Sequence, residues 1–260
     1  MVQTNEFAGK VVLVTGASQG IGLEICRQFS ELGAIVISVA RHQDKLEIAK
    51  NSITNNSNIH PYACDLSVES EIENLFDMVK EKFHRIDVLV NNLGAFSDKI
   101  VWNAIDYDLW IKTFETNVLS AYFCMVKAAD IMVANTTKGA IINVGSSSAL
   151  QVKKGRLNYT VTKSALHIMS RVAAMDLAKH HIRVNVVSPG PTATEIVEKR
   201  MKNPELWAQE ETRLKKIPLG RYASTTDIAN AVVFMSSSKA EFITGAILPV
   251  DGGYTIGETV

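Results

Sequence analysis

Apolar residues recur along this chain in two periods. Short unbroken runs stand at Val11-Val12-Leu13-Val14, Ala34-Ile35-Val36-Ile37-Ser38-Val39-Ala40, Ile59–Asp65, Ile86–Val90, Ala140–Val144, Arg183–Ser188 and Ile247–Val250. Runs this short, bounded by turn residues and without polar alternation, predict strands covered on both faces, which is the condition of a parallel sheet. Between them the apolar positions repeat at three and four, as Ile72, Leu75, Phe76, Val79 and Phe83 do. That period predicts helices over Leu23–Leu32, Asp44–Asn51, Glu69–Phe83, Tyr107–Ala134 and Leu157–His180. Strand and helix alternate throughout, so the expected fold is α/β, a doubly wound (Rossmann) parallel sheet of about seven strands with helices on both faces. With no repeat, low-complexity tract or linker, the 260 residues are expected to form a single domain.

The turns between these elements carry the candidate chemistry. The first strand runs into Gly16-Ala17-Ser18-Gln19-Gly20-Ile21-Gly22 and then a helix. Glycines there permit tight turning and close backbone approach, and the helix start offers unpaired N–H groups to a pyrophosphate. The second strand ends in Ala40-Arg41 with no acidic residue to accept from a ribose 2′-hydroxyl. Room and a guanidinium at that point suit a 2′-phosphate, which indicates NADP(H) over NAD(H), with Ser38 and Ser18 as further hydroxyl donors. A third constellation begins at Gly145-Ser146-Ser147-Ser148, just past a buried strand, and continues in Tyr159 and Lys163. Four residues apart on a helix, the last two leave one face, where a cation beside a phenol is expected to favour the phenolate. Asn117 falls near the middle of a long helix, and a kink or a polar partner is the expected reason for so poor a helix former there.

Charge and cysteine content narrow the classes. Acidic and basic residues number 27 each with no block of one sign, which excludes an electrostatic footprint for nucleic acid or an anionic membrane and favours a small-molecule substrate. The segment Met1 to Gly9 has no apolar core of a signal peptide, and no run approaches eighteen apolar residues, so a cytoplasmic protein is expected. Cys26, Cys64 and Cys124 have no metal-ligand spacing; buried free thiols and no metal are expected.

Taken together, these motifs resemble the short-chain dehydrogenase/reductase family from Lys10 to Tyr254. Thr15 to Gly22 is similar to its cofactor loop, Asp65 with Leu66 to its adenine contact, and Asn91-Asn92-Leu93-Gly94 to its Asn-Asn-Ala-Gly segment, with leucine in the alanine place. Asn117, Ser146, Tyr159 and Lys163 match its catalytic tetrad; Pro189, Gly190, Thr192 and Thr194 match the segment that holds the nicotinamide carboxamide. The resemblance implies an oxidoreductase that interconverts a carbonyl and an alcohol. In it Ser146 binds the substrate oxygen, Tyr159 is general acid or base, Lys163 holds the nicotinamide ribose and lowers the tyrosine pKa, and Asn117 supports a water chain. It also implies a homotetramer with contacts on the two long helices and on Ile243 to Gly257.

Specificity is less legible. Glu195 to Ile217 reads as an amphipathic lid whose underside carries Val197, Met201, Leu206 and Leu214, and with Ser148, Leu150, Val152, Phe96 and Trp102 it would close a moderately apolar substrate pocket. The alternatives are a 3-oxoacyl-thioester reductase and, from another class, a nucleotide-binding sensor or structural protein. Carrier-protein reductases of the family bear basic residues where this chain has Asp130 and Met175, which weakens the first; the intact tetrad weakens the second.

Overall fold

A computed structural model describes residues 5–95, 106–152 and 154–257. Its sheet holds seven parallel strands, β1 (Val11–Thr15), β2 (Ile35–Ala40), β3 (Ile59–Ala63), β4 (Val88–Asn91), β5 (Ala140–Val144), β6 (Arg183–Pro189) and β7 (Ile247–Val250). Their order is β3-β2-β1-β4-β5-β6-β7, so the winding reverses between β1 and β4 and opens a crevice at the carboxyl ends of those strands.

Nine helices cover the sheet among the described residues: α1 (Gly20–Glu31), α2 (Gln43–Asn51), α3 (Glu69–Lys82), α4 (Tyr107–Phe114), α5 (Ser120–Ala134), α6 (Leu157–Leu177), α7 (Glu195–Met201), α8 (Pro204–Leu214) and α9 (Thr225–Ser236). Successive strand residues face opposite sides. Val12 and Val14 pack with Ile25 and Phe29 of α1 and Val232 of α9, while Val11 and Leu13 pack with Leu75 and Phe76 of α3 and Met132 of α5. The inner strands are thus buried on both faces, whereas the edge strands β3 and β7, expected to be covered likewise, are partly exposed because each has a neighbour on one side only.

The stretch expected as one helix over Tyr107–Ala134 contains a π-turn at Glu115–Leu119 between α4 and α5. Asn117 sits in that turn, where the wider backbone spacing accommodates a buried polar side chain within the helical run. By length and composition this stretch would pass for a membrane span, but its inner face, with Cys124, Ala128 and Met132, is packed against the sheet. The segment expected as a lid forms α7 and α8. A polar seam crosses the second core layer: the amide of Asn91 donates to Asn143 Oδ1 at 2.9 Å, and Asn143 donates to Ser170 Oγ at 2.8 Å, so β4, β5 and α6 are held in register by bonds that hydrocarbon contacts cannot direct.

Candidate active site

The carboxyl ends of β1, β4, β5 and β6 define the site. After β1 the chain turns so tightly that a Cβ on Gly22 would lie 2.2 Å from the Gly16 carbonyl oxygen, and Gly16 and Gly20 both adopt positive φ. Neither Gln19 nor any acidic residue caps the start of α1, which leaves its first N–H groups directed at the turn. This is a cradle that backbone alone can line, and it fits the pyrophosphate of a dinucleotide. Thr194 closes over it, its methyl group 3.7 Å from a Cβ placed on Gly20. Thr192, buried, donates to the Gly190 carbonyl at 3.0 Å and fixes the turn after Pro189.

Asn92, expected as a cofactor ligand, commits its amide hydrogens to the backbone of the glycine turn. Its amide donates to the carbonyls of Thr15 and Gly16 at 3.0 and 3.1 Å, while Thr15 Oγ1 accepts from the backbone of Asn92 and Leu93. Asn92 and Thr15 therefore brace the glycine turn against β4, and leucine at 93 is accommodated with its side chain packed on the α3 face. At the end of β2, Arg41 is exposed and Ala40 half-buried, whereas the Ser38 hydroxyl is covered inside the strand without a partner. Arg41 is thus the open donor there, and Ser38 is not. Leu66 is likewise buried in the core. Burial works against ionisation of Asp65, but its hydrogen bonds from Ser67 and the charges of Arg41 and Lys112 outweigh that and hold its carboxyl below the usual range.

The tetrad residues converge. Tyr159 is hydrogen-bonded with Ser146, whose Oγ also accepts from the Ser148 backbone at 3.1 Å. Lys163 is buried, and its ammonium donates to the Val144 carbonyl at 3.0 Å. Gly94 lies against both remaining groups: a Cβ there would sit 3.0 Å from Lys163 Nζ and 3.7 Å from Asn117 Oδ1. Asn117 clasps the turn after β4, accepting from Ala95 N at 2.7 Å and donating to Ala95 O and to Thr162 Oγ1, each at 3.1 Å. Its amide hydrogens are spent on the protein, so the lone pairs of Oδ1 are what it can offer to water.

One expectation is corrected here. Burial raises the Tyr159 phenol above its ordinary 10, and the pull of Ser146 and of the Arg156 charge does not offset it. Lys163 does not offset it either: its ammonium, itself buried, is turned to the Val144 carbonyl. The phenol is therefore held as a neutral acid, with a hydroxyl beside it, ready to deliver a proton to an oxygen seated between Ser146 and Tyr159.

The substrate side differs from the sequence reading. Val197, Met201 and Leu214 pack on Ile217, Tyr222 and Tyr254 and so seat α7 and α8 on the body. The Tyr222 hydroxyl reinforces this by donating to Glu210 Oε2 at 2.6 Å. Ser148 is buried, while Leu150 and Val152 are exposed; Phe96 and Trp102 lie outside the described residues. Among the described residues no group of His, Cys, Asp or Glu could hold a metal ion.

Three residues that carry the geometry were not singled out from sequence: Thr15, Thr162 and His167. His167 follows Lys163 by one turn, buried, its Nε2 without a partner and facing Gly145, where a Cβ would come within 2.3 Å. Only its position on the Tyr159–Lys163 face could have flagged it. Burial, helped by the Lys163 charge, lowers its pKa from 6.5 to about 4. Between those values the unfolded chain binds a proton that the folded chain refuses, so stability is lost as pH falls from 6.5 toward 4. The expected slope from this group approaches about 1.4 kcal/mol per pH unit. Denaturant melts of wild type and His167→Gln across that range check it, the variant giving a visibly flatter dependence; parallel curves would refute the assignment.

Comparison with known proteins agrees with this geometry. Residues 16–255 match a family model described as enoyl-(acyl carrier protein) reductase. The chain is 33% identical to an L-xylulose reductase of Caenorhabditis elegans, with 96% of this chain and 97% of that one covered. It is 31% identical to a 3-oxoacyl-acyl-carrier-protein reductase of Thermotoga maritima, covering 95% and 98%. A short-chain type dehydrogenase/reductase from Mycobacterium ulcerans superposes with a TM-score of 0.90 at 28% identity, over 97% of this chain and 92% of that one. A glycine cradle at the switch point, a Ser–Tyr–Lys cluster beside it and matches over nearly the whole length lead to one conclusion: the chain belongs to the short-chain dehydrogenase/reductase family, oxidoreductases that use a nicotinamide cofactor.

Proposed function

We propose that this protein is an NADP(H)-preferring oxidoreductase that interconverts a ketone or aldehyde and the corresponding alcohol on a small, moderately apolar molecule. The observation that carries the proposal is the Tyr159 phenol, hydrogen-bonded with Ser146 and one turn of α6 from the buried Lys163. A bound nicotinamide dinucleotide supplies the hydride. Ser146 and Tyr159 hold the substrate oxygen, and Tyr159 gives it the proton in reduction or takes it in oxidation. Lys163, fixed by Val144, keeps its other N–H groups beside Gly94, within reach of a ribose in the crevice. Arg41 supports NADP(H), being the exposed cation at the end of β2, a strand end that carries no acidic residue of its own.

A second reading, reduction of a 3-oxoacyl thioester, is favoured by the name of the Thermotoga relative. Against it stand exposed Asp130 on α5 and exposed Met175 on α6, at the places where carrier-protein enzymes of the family are basic. We also propose a homotetramer. Tyr122, Val126 and Val133 of α5 and Val161, Ile168, Val172 and Met175 of α6 are exposed, more apolar surface than helices of a monomer ordinarily leave wet.

The reaction is tested by following nicotinamide absorbance with a panel of ketones, aldehydes, alcohols and one 3-oxoacyl thioester. Turnover of small carbonyls is expected, with Tyr159→Phe lowering kcat by about two to four orders of magnitude while cofactor affinity stays nearly intact. Silence across the panel, or a Tyr159→Phe enzyme as fast as wild type, would count against the proposal. For the cofactor, Arg41→Ala should weaken NADPH by roughly ten- to a hundredfold and leave NADH almost unchanged. A wild-type kcat/KM higher with NADH than with NADPH would sink that assignment. Light scattering at micromolar concentration should give four times the 28.5 kDa chain mass; a monomer would end the tetramer proposal.

A further inference from the structure

Tyr159 is the third residue of α6, a place where a helix leaves backbone N–H groups without an intrahelical carbonyl. The Thr160 N–H already reaches back to the Arg156 carbonyl at 2.9 Å, whereas the Tyr159 N–H is met by a side chain. Asn158 Oδ1 accepts from it at 2.8 Å, and Asn158 Nδ2 donates to Thr113 Oγ1 at 3.2 Å. Thr113 lies on α4, and its hydroxyl donates to the Leu109 carbonyl at 2.6 Å, which orients its oxygen as an acceptor toward Asn158. The other end of the tyrosine is tied in the same way. The Tyr159 carbonyl accepts from Thr162 Oγ1 at 2.9 Å, and that oxygen accepts in turn from Asn117 in the π-turn at 3.1 Å. Two struts therefore run from the segment of α4 and the π-turn to the two peptide groups of one residue. Asn158 and Thr113 are 0% and 3% exposed, so no water can replace either bond, and an amide enclosed this far is costly unless its bonds are made. The chemistry above uses neither residue.

We propose that Asn158 and Thr113 are positioning residues for the general acid: their strut fixes the Tyr159 backbone so that the phenol meets Ser146 and the substrate oxygen. The inference rests on the carbonyl-reductase reading above. Proton transfer stays with the phenol, and the strut sets where the phenol stands. A misplacement of about 1 Å costs up to roughly a hundredfold in rate, while the glycine cradle that would hold the dinucleotide is untouched.

The test measures kcat, KM and the Kd for NADPH in wild type, Asn158→Ala, Thr113→Val, Thr113→Ser and the double variant Asn158→Ala/Thr113→Val. Ethyl 3-oxobutanoate, or the ketone or aldehyde of the panel above that wild type reduces fastest, is the carbonyl probe, and kcat is expressed per folded enzyme from circular dichroism. Asn158→Ala is expected to lower kcat by about ten- to a hundredfold and Thr113→Val by about tenfold, with NADPH affinity nearly unchanged. Thr113→Ser, which keeps the hydroxyl, should restore most of the rate. The double variant should be no slower than Asn158→Ala alone, because the two side chains form one strut. If Asn158→Ala does not fold, the contrast between valine and serine at 113 decides. A kcat near that of wild type in Thr113→Val, a serine variant as slow as the valine one, losses that add in the double variant, or NADPH affinity falling in parallel with kcat overturns the proposal and leaves the reductase reading standing. Absence of turnover by wild type with every carbonyl compound overturns that reading and this proposal with it.

Discussion

The constraint on which this site depends is a buried ammonium. Lys163 is enclosed at the end of β5, where a charge is costly, and one bond to the Val144 carbonyl is the compensation visible in the protein. That bond fixes α6 to the strand end and so fixes Tyr159 one turn earlier against Ser146. It also explains two nearby residues that would otherwise look accidental. Gly94 leaves room for Nζ, which a Cβ there would meet at 3.0 Å, and the Lys163 charge adds to the burial that keeps His167 neutral.

Around that charge the protein spends polar side chains on backbone. Asn117 clasps Ala95, Asn92 clasps Thr15 and Gly16, and Asn143 links Asn91 to Ser170. Such bonds contribute modestly to stability one by one, but leaving any partner unmade in a buried place would cost more, so each turn has one arrangement. The result is a crevice whose floor is braced from several strands and helices. The fold does not choose the substrate. An L-xylulose reductase and a 3-oxoacyl-acyl-carrier-protein reductase stand at nearly the same distance from this chain.

What the sequence by itself determined follows from rules that act between near neighbours. Unbroken β-branched runs specify strands buried on both faces, and the three-four period specifies helices. Glycines at 16, 20 and 22 specify a turn that no other residue can make, and a spacing of four places Tyr159 and Lys163 on one face. The seven strands, their parallel order and the gathering of Ser146, Tyr159, Lys163 and Asn117 were legible on these grounds together with the family resemblance. Tertiary structure alone decided the rest, because the partners are far apart in the chain. The π-turn at Asn117 depends on Ala95, the seating of Val197 depends on Tyr222 and Tyr254, and the bracing role of Asn92 depends on Thr15. The direction in which the Tyr159 phenol shifts was misread from spacing, since a nearby lysine in a helix says nothing of how deeply both groups are buried. Burial is a property of the whole packed molecule, and it outweighs the pairing that sequence can see.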